Sequence, residues 1–190
     1  MVAIERLEGV IGVGPVVSGG TAAERRVAFE RFSQERLERA YRLASVILRD
    51  GAEAEDAVHD AAVQAWLHWA ELRDRERMDA WFDRIVVNAC RAQLRRRTIR
   101  PLPVDPADPP GSDPFAGVLD ADVLNRALAG LDAEHRIAVV LRYIADLSPA
   151  EIAARTGTRE GTVKSRLHYA LRRMRATLQD AERASAGGSR

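Results

Sequence analysis

Arg159, Glu160, Thr162, Lys164, Ser165 and Arg166 crowd into one short stretch of a 190-residue chain. Guanidinium and ammonium groups grip phosphate oxygens or the acceptor edge of guanine, and a carboxylate accepts from cytosine N4. Apolar Val163, Leu167, Ala170, Leu171, Met174 and Leu178 recur through and beyond the same stretch at helical spacing. The polar six therefore share the opposite face, at the start of one helix. A solvated basic face is the alternative, since arginine is a good helix former.

What stands before this helix favours the first use. Ser148-Pro149-Ala150-Glu151 has the form of a capping box, with proline suited to the first helical position. Gly157 fits a left-handed stop, and Thr158 is expected to cap the helix that follows. Helix, glycine turn, helix is the helix-turn-helix pattern, whose second helix enters the major groove by its N-terminal end. Gly161 is a poor helix former, so we expect it to allow a close backbone approach, to DNA or to the first helix.

A second basic group, Arg91, Arg95, Arg96 and Arg97, ends an earlier amphipathic segment that also carries Asn88. Arginines in that density neutralise phosphates, giving affinity and salt dependence with little sequence reading. Cations at a helix C-terminus also suit the macrodipole. Acidic residues gather early in another segment, at Glu53, Glu55, Asp56 and Asp60, with Gln64 one turn beyond.

The elements that position these groups read as helices throughout. Apolar residues fall at helical spacing in 28–48 (Phe29, Phe32, Leu37, Ala40, Ala44, Ile47), in 53–70 (Ala54, Ala57, Val58, Ala61, Ala65, Trp66) and in 78–96 (Trp81, Phe82, Ile85, Val86, Ala89). Leu124, Leu128 and Leu131, then Ile137, Val140, Leu141 and Ile144, mark two shorter helices. Strand alternation is absent. Prolines and aspartates cluster around 100–117, where helix is disfavoured. The expected class is all-α, two small helical domains on a string: a tail at 1–23, a domain at 24–98, a linker at 99–118, a domain at 119–182 and a disordered tail at 183–190. Trp66 and Trp81 fall in apolar stripes and are expected in the core.

Composition narrows the functions. Net charge is only +1, so a nucleic-acid partner is argued from charge distribution alone. Cys90 is the sole cysteine, which excludes an internal disulfide and a Cys-based zinc site and suits a reducing cytoplasm. The sequence shows no apolar run of about 18 residues, hence no membrane span. With no phosphate loop, metal set or nucleophile–base spacing, the expectation is a non-enzyme without catalytic residues, metal or cofactor. Cys90 reads as a small core residue in preference to a redox switch.

At this point the residues resemble a known family. "LSPAEIAARTGTREGTVKSRLHYALRRM" (147–174) is similar to the region-4 helix-turn-helix of bacterial RNA polymerase sigma factors of the extracytoplasmic-function (ECF) group, and "RIAVVLRYIADLS" to the segment before it. "AEAEDAVHDAAVQAW" (52–66) resembles region 2.2, and "MDAWFDRIVVNACRAQLRRR" (78–97) resembles regions 2.3 and 2.4. The resemblance covers about 24–180. His59 departs from the usual Gln, and Ala61-Ala62 from the usual acidic and bulky pair.

The resemblance implies a sigma factor that binds core polymerase and directs −10 melting and transcription initiation. It implies docking of Glu53, Glu55, Asp56, Asp60 and Gln64 on the clamp helices of the polymerase β′ subunit. A −10 pocket would use a loop from Leu72 to Asp79, with Asn88 bonding a flipped base and Arg91, Arg95, Arg96 and Arg97 on phosphates. Arg159, Glu160, Thr162, Lys164, Ser165 and Arg166 would read the −35 element. Partners implied are core polymerase (β′ clamp helices and β flap), promoter DNA and an anti-sigma factor. The alternative is a helix-turn-helix regulator that binds operators without joining the polymerase, which accounts for 148–175 and leaves the earlier region unexplained.

Overall fold

A computed structural model describes residues 21–69, 78–99 and 121–187. The described residues form helices and short connections, without strands, and the chain divides into two compact units.

The first unit contains α1 (Ala22–Leu48), α2 (Gly51–His68) and α3 (Met78–Ile99), each packed on the other two. Helix α1 starts inside the segment expected as a tail, because Thr21 and Glu24 form a capping box. The Glu24 amide donates to Thr21 Oγ1 (3.2 Å), and the Thr21 amide to Glu24 Oε2 (2.8 Å). The helix closes on Arg49, whose left-handed backbone (φ 58°) returns an amide to the Ser45 carbonyl. Asp50 then caps α2 by accepting from the Glu53 amide at 2.9 Å.

Helix α2 turns a face of alanines inward. Ala54, Ala57, Ala61 and Ala65 are fully buried and Ala62 nearly so, and small side chains let neighbouring helices approach closely. Aromatic rings fill the wider end of the core. Phe29 lies 5.2 Å from Trp66 and 5.3 Å from Trp69, and Phe32 lies 5.1 Å from Phe82, all edge-on. Trp66 thus belongs to the core by contact, while in α3 it is Phe82, beside half-buried Trp81, that fills the centre.

The second unit contains α4 (Ala121–Ala129), α5 (Ala133–Tyr143), α6 (Pro149–Thr156) and α7 (Glu160–Gly187). Helix α7 packs on the other three. Its Val163, Ala170 and Met174 are buried against a core that includes Leu128, Leu131, Ile137, Val140, Leu141 and Ile152. It runs to Gly187, through part of the segment expected to be a disordered tail. Ile99, expected to open the linker, is the last residue of α3; Leu72, the rest of the expected linker and most of the expected N-terminal tail lie outside the described residues.

Candidate nucleic-acid interface

The turn between α6 and α7 is built by local chemistry. The Glu151 amide donates to Ser148 Oγ (3.3 Å) and the Ser148 amide to Glu151 Oε2 (2.9 Å), completing the capping box. Bonds from the Ser148 hydroxyl and amide hold the Glu151 carboxyl below its ordinary range. Gly157 adopts φ 68°, and the amides of Gly157 and Thr158 both reach the Ala153 carbonyl. Thr158 does not cap α7 as expected. Its hydroxyl lies 2.9 Å from Thr156 Oγ1, and the helix begins one residue later, with the Arg159 carbonyl accepting from Thr162 and Val163.

The first turns of α7 present Arg159, Glu160, Thr162, Lys164 and Ser165 outward, all exposed. Gly161 is exposed too, and beyond its own stretch of helix no protein atom lies within 4 Å of where its Cβ would stand. A close approach to the first helix of the motif is thereby removed as its use. Lys164 pairs with Glu160 one turn back (2.8 Å), an exposed pair worth little in water. Ser165 Oγ donates to the Gly161 carbonyl (2.9 Å).

Arg166 differs from the other five. Its side chain is only 22% exposed and its Nη1 lies 2.8 Å from Glu134 Oε2 on α5. Next to it, the His135 and Tyr169 rings stand 4.7 Å apart. His135, His168 and Tyr169 join Thr162, Lys164, Ser165 and Arg166 in lining one open groove of about 650 Å³. On sequence alone, none of these three carries a role at the interface. His168 and Tyr169 were signalled only by lying one turn beyond Lys164 and Ser165. His135 carried no local signal, because α5 brings it there.

In the first unit, Asn88 lies exposed on α3, with Arg95 and Arg96 exposed further along and Arg91 half-buried. Arg84 is exposed one turn before Asn88, so 84, 88, 91 and 95 share a face at helical spacing. Arg84 is a residue that reading missed, although the i−4 spacing from Asn88 was available.

Arg97 behaves unlike its neighbours. Its guanidinium reaches Glu53 Oε1 (2.6 Å), the Leu48 carbonyl (3.0 Å) and Asp50 Oδ2 (3.5 Å). It therefore closes the α1–α2 corner and fastens the end of α3 to it. Glu53, expected on an outer docking surface, is the other half of this contact and is part-buried. Glu55, Asp56, Asp60 and Gln64 stay exposed on α2, and Leu67, 58% exposed, continues the Asp56–Asp60–Gln64 stripe. Asp60 also faces Arg96 at 3.8 Å, with both side chains more than half exposed.

Cys90 is fully buried on the inner face of α3, and burial pushes its thiol up to about 12. Among the described residues there is no cluster of histidine, cysteine and carboxylate able to hold a metal ion. No described helix is long and apolar enough to cross a membrane.

Comparison with known proteins bears on both units. Residues 32–99 match the Sigma-70 region 2 family, and residues 121–174 match the Sigma-70, region 4 family. ECF RNA polymerase sigma factor SigL of Mycobacterium tuberculosis is 36% identical over 171 residues, covering 86% of this chain and 96% of that one. SigM of the same organism is 35% identical over 153 residues (80% and 78%). RNA polymerase sigma-E factor of Streptomyces coelicolor is 30% identical over 151 residues (79% and 85%). Among solved structures, the sigma factor RpoE in complex with the anti-sigma factor NepR from Bartonella quintana aligns with TM-score 0.67 and 26% identity, over 80% of this chain and 97% of that one. CnrH in complex with the cytosolic domain of CnrY aligns with TM-score 0.62 and 25% identity, over 82% and 90%.

Proposed function

We propose how this chain works from one premise: it belongs to the ECF group of RNA polymerase sigma factors. It binds core RNA polymerase and directs promoter-specific transcription initiation. Bond making is left to the polymerase, and the chain itself is assigned no catalytic group. It acts in the cytoplasm, where the polymerase is.

The assignment of faces rests on one observation above all. Each unit buries the apolar side of a helix and turns a polar reading face outward, Asn88 with Arg84 and Arg95 on α3, and Arg159 with Thr162 and Lys164 on α7. On this reading α3 receives the −10 element. The Asn88 amide donates and accepts toward a base taken out of the stack, while Arg84, Arg91, Arg95 and Arg96 neutralise phosphates around it. Helix α7 enters the −35 major groove by its first turns, where Arg159, Thr162, Lys164 and Ser165 meet bases and phosphates. The exposed stripe of Asp56, Asp60, Gln64 and Leu67 docks on the polymerase clamp, with Glu55 beside it. Arg97 and Glu53 act within the fold, holding the basic end of α3.

The aligned sigma factor RpoE is held by the anti-sigma factor NepR, and CnrH by the cytosolic domain of CnrY; an inhibitor of the anti-sigma kind is the proposed further partner. A regulator that binds operators outside the polymerase accounts for α6 and α7 alone; the region 2 match is what it leaves out.

Separating the surfaces tests the reading. D56A/D60A is expected to weaken binding to core polymerase while leaving helicity intact. N88A is expected to bind core normally and lose −10 opening by about 2- to 10-fold per lost neutral hydrogen bond, read as thymine reactivity to permanganate. Equal core affinity of wild type and D56A/D60A, or unaltered opening with N88A, counts against these assignments.

A further inference from the structure

The reading of α7 as the −35 helix leaves open how its angle is set, and the inference here rests on that reading. Two contacts join the first turn of α5 to one face of α7. Glu134 meets Arg166 at 2.8 Å, and the His135 ring lies against Tyr169, one turn further along α7, with centroids 4.7 Å apart and planes tilted by 42°. The Arg166 and Glu134 side chains are 22% and 34% exposed, less than the Lys164–Glu160 pair at 64% and 47%. The turn that carries Glu134 is itself fixed. Asp132 caps α5 by accepting from the His135 amide (3.1 Å), and its second oxygen meets the His135 ring. Burial alone would raise the Asp132 carboxyl, but the bonds from His135 hold it below the usual range.

We infer that Arg166 is a positioning residue that acts through Glu134 and sets the rotation of the reading face of α7 against α5. Thr162 lies on the same side of α7 as Arg166, at i−4, and Ser165 lines the same groove, so a rotation about this contact moves the residues that face the groove. A guanidinium engaged by a carboxylate inside the fold adds little net charge toward a phosphate. The −35 preference therefore depends on an acidic residue of α5 in the absence of any contact between that residue and DNA.

The test is a double-mutant cycle on the full chain assembled with core polymerase, using R166Q, E134Q and both, with binding to a −35-containing duplex measured across salt concentrations. Coupled residues give single effects that do not add. The expected result is a similar several-fold loss for each single variant and no further loss for the double. The slope of log affinity against log salt stays unchanged, and the swapped pair R166E/E134R recovers binding and the original −35 preference. Removing a phosphate contact would instead lower that slope by about one. A lowered slope for R166Q, with E134Q binding as tightly as wild type or tighter, overturns the inference and makes Arg166 a direct DNA contact. A swapped pair that folds with native helicity and binds no better than either single variant overturns it as well. If the wild-type holoenzyme itself ignores the −35 sequence, the functional reading of α7 fails first, and that result is distinct from either of these.

Discussion

Arg97 Nε lies 2.6 Å from Glu53 Oε1, joining the end of the basic helix α3 to the beginning of the acidic helix α2 across 44 positions of sequence. The same guanidinium bonds the Leu48 carbonyl, in the last turn of α1. One side chain thus ties all three helices of the first unit, and two residues whose charges suggested separate outer surfaces neutralise each other within it.

R97A is therefore expected to destabilise the first unit by about 1–2 kcal/mol. Hydrogen bonds between charged groups contribute about 1.5–3 kcal/mol, and partial exposure of this pair reduces that. All three tryptophans, Trp66, Trp69 and Trp81, belong to α2 and α3 or the turn ending α2, so tryptophan fluorescence during urea unfolding reports on this unit. R95A should leave the midpoint unchanged and lower the salt slope of −10 DNA binding by about one.

Gly161 sets stability against function. An exposed helical glycine costs roughly 0.5–1 kcal/mol relative to alanine, and nothing in the fold occupies the space its missing side chain leaves. G161A is expected to raise the stability of the second unit by about that amount and to weaken −35 binding. Thermal unfolding and duplex binding together read the two opposite signs. Improved stability with undiminished binding would mean that DNA does not approach this backbone closely.

Cys90 should be inert in the native protein. Its thiol is fully buried, and with its titration pushed up to about 12 it stays protonated at neutral pH, where the thiolate is the reactive form. A maleimide reagent is expected to label it only as the first unit unfolds, with the same midpoint in urea as tryptophan fluorescence. Labelling ahead of that transition would point to an accessible, redox-competent thiol.

Acid should loosen the start of α6. The Glu151 carboxyl is depressed in the folded chain by its bonds from Ser148. The stability this contributes is fully present above the unfolded carboxylate range and is lost as pH falls through the folded value. Amide protection at 148–152 should thus fall in acid and hold at neutral pH. E151Q keeps a capping partner without a titrating group, so its protection should vary less with acidity.

What was legible in the sequence was local. The Ser148–Glu151 box, the Gly157 stop and the alanine stripe of α2 are specified by residues within a few positions of each other, and the structure builds them as expected, whereas Trp81 is only half-buried. Thr158 was misread by one residue: it and Arg159 both stand before the helix, and it is the Arg159 carbonyl that accepts the first bonds of α7, from Thr162 and Val163. The contacts of Arg97 and Arg166 within the fold were not legible. An arginine on a helix reads alike whether it faces DNA or a carboxylate from a distant helix, and only the packing of α2 and α5 brings Glu53 and Glu134 within reach. His135 and Tyr169 were missed for the same reason.

The most direct test of the central claim is run-off transcription by purified core RNA polymerase on genomic DNA of the source organism, with and without this chain. New, discrete start sites are expected that depend on the chain and share a −35 and a −10 sequence at fixed spacing. N88A should lower yield at every site, and R159A should change which sites are chosen. A chain that binds DNA yet neither associates with core polymerase nor yields a single new start would contradict the account and leave an operator-binding regulator in its place.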